Sequence, residues 1–538
     1  MVAHRRLGPC LSTVIDTESQ VGLTQFLHRA LRFVRGGLDA PETGAATAQG
    51  RPVSGLRSSL ADTGPGVAEA RPSAPTRRRE GAPTAKASAG IVTRDQHSIS
   101  RRNISNNALR VLYRLRDAGF QAYLVGGAVR DMLLGVVPKD FDVATDARPE
   151  QVRQLFRNCR LIGRRFRLAH IHYGQEIIEV ATFRGSGEGD EDEGDGDREI
   201  ANGRLLRDNV YGSLEEDIFR RDFTANALYY NIADFSIRDE VGGIEDIKAR
   251  RLRLIGDPEK RFREDPVRML RAMRFAAKLD FTLDPAMARR IPQLAYLLGE
   301  VPPARLFDET GKLLLSGCAQ RSFDLLREHG LMPALMPQVA DSLAGADGAK
   351  AEQFIRAALA SSDARVREDK TLTPGFLFAV LLWAPANAIH ERLVESGTEA
   401  NLAWQRATDA VMATFCRRVA VPRRFSLVTQ EIWTLQHWMT RRNRRRVTRL
   451  LTHPRFRAAW DFLALRAQVE PELASLVEWW QAAQNLEGDA LHAHVESDIA
   501  TPVAGEQEAP RKRRRRRGGR RRRGGGAGGS SAPDGGND

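Results

Sequence analysis

Apolar positions first recur at helical spacing at Ile104, Ala108, Val111, Leu112 and Leu115, which predicts a helix opening the folded body. Short apolar runs then predict strands at Ala122–Val125, Phe141–Ala144, Ala169–His172 and Ile177–Phe183, interrupted by a helix at Pro149–Phe156. This mixed order implies a small α/β head. Structure resumes at Leu205, and a second α/β stretch ends near Gly243. From about residue 258 to Ala483 the period is helical, as in an all-α body. Residues 1–90, rich in Ala, Gly, Pro, Ser, Thr and Arg from residue 37, read as disordered apart from a short helix at Thr24–Val34, and residues 484–538 read as a disordered tail. Between Glu188 and Asp197 seven of ten residues are acidic and three are glycine, the composition of a solvated loop. The fold class expected is α+β, a small mixed-sheet head followed by helices.

The most informative polar residues lie where an apolar run stops. Tyr123, Leu124 and Val125 read as a buried strand, and Gly126-Gly127 then opens a helical pattern carrying Arg130 and Asp131. Backbone N–H groups at such a start can cradle a triphosphate. Nine residues after Asp131, Asp140-Phe141-Asp142 leads into Val143, Ala144 and Thr145. If that stretch is a strand, positions i and i+2 share a face. Two carboxylates side by side repel unless a cation lies between them, and two hard divalent ions would serve. Such a metal pair can activate an attacking hydroxyl and stabilise a leaving phosphate in line. A lone D-x-D reads more simply as a solvated hairpin pair; the glycine turn ahead of it reverses that preference.

Two further stretches add polar groups. Arg220-Arg221-Asp222-Phe223-Thr224 follows the acidic run Glu215-Glu216-Asp217. Asp222 could supply a third carboxylate or accept a ribose hydroxyl, and the Arg221 guanidinium suits phosphate oxygens. In Glu264-Asp265-Pro266-Val267-Arg268, Pro266 fits a first helical turn and Asp265 an N-cap. Asp265, Arg268 and Arg271 follow at intervals of three and share a helix face, which could present an acceptor and donors to a base edge. Taken alone, each stretch also reads as a capped helix with surface ion pairs. Arg164-Arg165-Phe166-Arg167 and Arg441-Arg442-Asn443-Arg444-Arg445-Arg446 are basic clusters able to track an RNA backbone, or plain solvated faces. His170 and His172 alternate along a strand without a Cys or carboxylate at metal spacing, and read as structural or RNA-facing.

Composition narrows the class. The longest apolar run, Phe376 to Ala384, is far short of a membrane span, and the first residues lack a secretory pattern. Four scattered cysteines suggest reduced thiols in a cytoplasmic protein and argue against a zinc site. The net charge of +14 belongs mainly to Arg511–Arg523, which holds ten Arg and one Lys, leaving about +3 elsewhere. Such a run attracts polyanions without reading their sequence. A P-loop is excluded, since Gly311-Lys312-Leu313 lacks the Ser/Thr and the upstream glycine.

Taken together, LVGGAVRD, KDFDVAT, RRDFTANALYY and REDPVRMLRAMRFAAKL, in this order, resemble the class II template-independent nucleotidyltransferases of the DNA polymerase beta superfamily. That family contains bacterial poly(A) polymerases and tRNA CCA-adding enzymes. Within it the chain is more similar to the poly(A) polymerases, on Phe156–Ile171, Leu205–Phe223, Pro302–Glu309, His453–Ala467 and the arginine-rich end. The resemblance covers roughly residues 91–520.

The resemblance implies a hook of nucleotidyltransferase head (91–243), helical neck (244–320) and helical body (321–483), with extensions at 1–90 and 484–538. It gives Asp140 and Asp142 to magnesium and catalysis, with two ions bound and manganese as the alternative. It gives Gly127 and Arg130 to the triphosphate, beside Gly126 and Arg221 that the residues themselves suggest, and Asp222 to catalysis or the ribose. Asp265 and Arg268 would read the base, with Arg271 assisting. The implied activity is AMP transfer from ATP to RNA 3′ ends by a cytoplasmic monomer, with RNA-decay or RNA-chaperone proteins as partners. The alternatives are a CCA-adding enzyme and a non-catalytic RNA-binding protein on the same fold.

Overall fold

The computed structural model describes residues 90–163, 167–185, 198–201, 204–208 and 210–499. The expected Thr24–Val34 helix, the acidic loop at 188–197, Arg164, Arg165 and the arginine-rich run lie outside the described residues.

The head is built on one mixed sheet. Its strands are β1 (Ile91–Val92), β2 (Ala122–Val125), β3 (Asp142–Thr145), β4 (Cys159–Ile162), β5 (Leu168–Tyr173), β6 (Glu176–Thr182), β9 (Tyr229–Asn231) and β10 (Ile237–Arg238), and β7 (Arg198–Ala201) and β8 (Arg204–Asp208) form a separate hairpin. The order across the sheet is β1-β10-β9-β2-β3-β6-β5-β4. β3 and β6 run parallel and the other neighbours antiparallel. Helices α1 (Asn106–Asp117), α2 (Gly127–Leu133), α3 (Pro149–Leu155) and α4 (Leu214–Arg220) belong to the head. Ser105 starts α1, its hydroxyl accepting from the Ala108 N–H.

Alternation along the strands sets two faces. Val143, Ala169, Ile171, Ile178 and Val180 point to the back, where they join Val111, Leu112 and Leu115 of α1 and Val152 of α3 in the main core. Tyr123, Val125, Ala144, Phe183 and Tyr229 point forward, and Leu214 and Ile218 of α4 cover this part of the front.

Helices α5 (Gly243–Lys248), α6 (Pro258–Glu264), α7 (Val267–Leu279), α8 (Pro285–Leu294) and α9 (Pro303–Leu314) follow, and further helices run to Ala474–Ala483. α7 is buried on most sides, and its apolar residues continue the core that backs the sheet. A second core gathers Leu435, Val447, Phe456, Leu463, Trp479 and Trp480 near the C-terminal end. No described helix is long and apolar enough to cross a membrane.

The strand expected at Phe141–Ala144 begins one residue later, so Asp140 precedes β3 and only Asp142 lies in it. Phe141 and Val143 still point to the main core, so the alternation survives across the junction. β9 and β10 are too short to carry a readable period, and β4 pairs apolar residues with an exposed arginine at an edge. The helix Gly488–Ile499 forms where residues from 484 onward read as tail: only Val495 is buried and Leu491 partly so, too few for a visible stripe.

Candidate active site

The end of β2 and the start of β3 are opposed by Val125 pairing with Asp142. The chain leaves β2 through Gly126 at φ 69°, ψ −133°, a conformation that side-chain-bearing residues rarely adopt, and α2 starts at once. This sharp turn places Gly127 beside the carboxylate strand. Asp140 is exposed and Asp142 half-buried, and both point away from the main core that takes Phe141 and Val143.

Arg130 lies inward of the turn. Its side chain is 1% exposed, stacks 5.6 Å from the Phe275 ring centroid, and donates to Asn226 Oδ1 at 2.6 Å and Asp131 Oδ1 at 2.7 Å. It therefore ties α2 to Asn226 and to α7, with its guanidinium committed to Asn226 and Asp131.

Arg221 caps α4 and donates from Nε to the Tyr229 hydroxyl at 2.6 Å and from Nη2 to Asp217 Oδ2 at 3.3 Å. Burial alone would raise the Asp217 pKa, but the Arg221 and Arg220 guanidiniums and the Tyr229 hydroxyl outweigh it and hold the carboxyl down at about 2. Burial pushes the Tyr229 hydroxyl up, aided by the Asp217 charge, so it stays a neutral donor. The net effect is a fixed cation beside β9 and β2.

Asp222 accepts the Phe223 N–H at 2.8 Å and the Arg271 Nε at 2.8 Å. Burial opposes its ionised form, and the Arg271 charge overrides that, so its pKa lies below the usual carboxylate range. Among the described residues no three His, Cys, Asp or Glu side chains gather closely enough to hold a metal ion. Asp222 is thus engaged with Arg271 and is not gathered with Asp140 and Asp142.

The junction of α6 and α7 is more constrained than its sequence suggested. Asp265 caps the C-terminus of α6, and Pro266 takes the N-cap position of α7. The reason is that α6 runs up to the same junction, so one aspartate serves both helices, its Oδ1 accepting the Val267 N–H at 3.3 Å. Its Oδ2 accepts from Arg305 of α9 at 2.9 Å. Arg268 donates from Nη1 to the Arg261 carbonyl at 2.7 Å and to Glu264 Oε2 at 2.9 Å. Both residues expected to read a base are therefore clamped.

Sequence reasoning missed several partners. Glu309 of α9 is buried against Arg274, Lys312 and, at 3.8 Å, Arg271. Burial would raise its pKa, but the Arg274, Lys312 and Arg271 charges bring it down to about 2. Arg305 and Glu309 both lie in the PPARLFDE stretch, which carried a resemblance but no chemical signal. Glu179 pairs with Asp142 across β3 and β6, a neighbour that only the parallel register reveals.

The basic run Arg441, Arg442, Arg444, Arg445 and Arg446 spans the turn between helices Arg423–Met439 and Arg444–Leu451, where the Asn443 side chain accepts the Arg446 N–H. Arg442 lies over Trp479 at 5.2 Å and Arg444 contacts His492 at 2.8 Å, both around the C-terminal core.

Residues 122–253 match the family described as "Poly A polymerase head domain", residues 280–343 "Probable RNA and SrmB- binding site of polymerase A", and residues 396–522 "Polymerase A arginine-rich C-terminus". Poly(A) polymerase I of Escherichia coli O6:H1 is 52% identical over 393 residues, covering 72% of this chain and 84% of that protein. A CCA-adding enzyme of Geobacillus stearothermophilus is 39% identical over 224 residues, covering 42% of this chain and 53% of that protein. A solved tRNA-processing enzyme (apo form I) shares the fold at 23% identity and a TM-score of 0.50, covering 74% of this chain and 98% of that one. On the extent and identity of the first of these relatives, the chain belongs to the poly(A) polymerase family.

Proposed function

We propose that the chain adds AMP from ATP to RNA 3′ ends without a template and releases pyrophosphate. The observation that carries this reading is Asp140 and Asp142 at the head of β3, directly beside the Gly126-Gly127 turn. Two carboxylates without a third gathered protein ligand suit a hard divalent ion that completes its shell with water and phosphate oxygens. Magnesium, or manganese in its place, would be held as two ions by Asp140 and Asp142, supplying activation of the RNA 3′ hydroxyl and charge neutralisation at the departing pyrophosphate.

The protein's own groups do the rest. Amides of the Gly126-Gly127 turn face the triphosphate, and Arg221 and the enclosed Arg130 supply positive field. Asp222 fixes Arg271 and offers an acceptor towards the ribose. Asp265 accepts from a base amino group while Arg268 donates to the adjacent ring nitrogen. Adenine and cytosine both offer that donor–acceptor edge but at different distances from the sugar. A pair clamped by Arg305 and Glu264 fits one of them, which favours a single nucleotide. In this assignment residues 91–243 are the catalytic head, 244–320 the neck that reads the base, and 321–483 a body that contacts RNA through Arg441, Arg442, Arg444, Arg445 and Arg446.

The test offers purified protein ATP or CTP separately, with an oligo(A) primer and with tRNA lacking its CCA end. Long homopolymeric A on the oligonucleotide is expected. Arrest after a completed CCA end on tRNA would replace this reading with the CCA-adding one.

A further inference from the structure

An in-line displacement puts the attacking and leaving oxygens on opposite sides of the reacting phosphorus. Two groups assigned to the triphosphate lie on one side of β3: the Gly126-Gly127 turn ends β2, and Arg221 is anchored to Tyr229 on β9. The acceptor strand must then approach from the other side, across β6, β5 and β4.

That part of the front face has its own chemistry. Asp142 pairs with Glu179, Glu179 with His170, and His170 with Arg160, so one row of side chains runs from the carboxylate site to the edge strand. His170 is buried, and its Nε2 lies 3.2 Å from Glu179 Oε2, so the imidazole holds that carboxylate in place. Arg160 at the end of the row is exposed, and its guanidinium has no carboxylate partner among the described residues. Arg157, in the turn entering β4, is exposed as well. On the next row of the same face His172 pairs with Ile177, and both are half-buried; Ile162 lies beside Arg160 on the edge strand, on the other side of that row. The back of these strands is closed by α1 and α3.

We propose that the last nucleotides of the acceptor RNA lie as a single strand across this face, with Arg160 binding a backbone phosphate and His172 and Ile177 beneath the bases. The inference rests on the functional reading above, which places the RNA 3′ hydroxyl at Asp142. Three strand spacings separate Asp142 from Arg160, about 14 Å, a span of roughly two to three nucleotides of extended single strand. A cation there attracts the backbone without reading sequence, and a flat surface accepts any base.

The test compares intact chain, Arg160→Ala and Arg160→Lys on oligo(A) primers of two and eight nucleotides at saturating ATP. The eight-nucleotide primer reaches Arg160 and the dinucleotide does not. Arg160→Ala is expected to raise the KM of the longer primer about five- to tenfold and to lower the salt dependence of that KM by about 0.7 in log–log slope. Arg160→Lys should stay within about twofold of the intact chain, since a phosphate accepts either cation. The KM of the dinucleotide and of ATP should not move. An unchanged KM for the longer primer, or an equal rise for the dinucleotide, overturns the track while leaving the function intact. Failure of the intact chain to extend either primer would remove the functional reading, and the track with it.

Discussion

Asp222 and Arg271 join head to neck through a two-point ion pair, with Oδ2 lying 2.8 Å from Nε and 2.7 Å from Nη2. Arg271 also passes 3.8 Å from Glu309 on α9, so one arginine links the segment after α4 to α7 and α9. Replacing it by alanine leaves Asp222 ionised and half-enclosed without its partner. We expect Arg271→Ala to lower kcat/KM for ATP by ten- to a hundredfold, roughly 1.4–2.7 kcal/mol. Arg271→Lys should recover little, because an ammonium cannot reproduce the fork. A double-mutant cycle with Asp222→Asn, read by the same kinetics, should show strong coupling. Additive effects would mean that the pair does not act as a unit.

Base selection should depend on a residue that need not touch the base. Arg305 holds Asp265 at 2.9 Å, and Glu264 holds Arg268 at the same distance. Freed from Arg305, the Asp265 carboxylate can turn towards a smaller ring. Arg305→Ala is expected to reduce the ratio of kcat/KM for ATP over CTP by about tenfold, mostly by admitting CTP. An unchanged ratio in steady-state assays with each nucleotide would show that the clamp does not set the choice.

Acid should loosen the head and neck together. The carboxyls of Asp217 and Glu309 titrate at about 2 in the folded chain, against ordinary values of 3.8 and 4.5. A depressed folded pKa stabilises above the unfolded value, and the benefit is lost as pH falls from there towards the folded one. Each group then contributes on the order of 2–3 kcal/mol at neutral pH, lost between about pH 5 and pH 2. Thermal melts in this window should fall steeply for the intact chain. Glu309→Gln should start lower at neutral pH and fall less, and parallel curves would contradict the assignment.

Much of this arrangement was legible from residue type and spacing. The Gly126-Gly127 turn and the Asp140–Asp142 pair announce themselves because both need unusual local chemistry, a positive φ in one and adjacent like charges in the other. Helix α1 was readable because its apolar period is long and uninterrupted, and β2 because it is a continuous apolar run ended by a glycine turn. Glu179 and His170 were not, since only the parallel pairing of β3 with β6 brings them beside Asp142. Arg305 and Glu309 were silent for the same reason: their partners lie about 35–40 residues away, and nothing local marks a helical arginine or glutamate as a clamp. The Asp265 cap was displaced by one residue because two helices meet there, and helix boundaries follow tertiary packing as much as local signals.

The arginine-rich run Arg511–Arg523 should act on RNA affinity and leave chemistry alone. Ending the chain at Pro510 removes eleven cations, and the salt dependence of RNA binding should flatten by several units of log–log slope. At saturating RNA the kcat should remain within about twofold of the intact chain. A kcat loss of more than about tenfold under those conditions would place the run in the catalytic machinery.

Asp140 and Asp142 are assigned the transfer of AMP to an RNA 3′ end. Its most direct measurement is incorporation of labelled AMP into an oligo(A) primer by the intact chain and by Asp142→Asn, with magnesium and saturating ATP. Long poly(A) products are expected from the intact chain and a rate at least about a thousandfold lower from the variant, with the fold retained by circular dichroism. Incorporation by Asp142→Asn at the intact rate would contradict it.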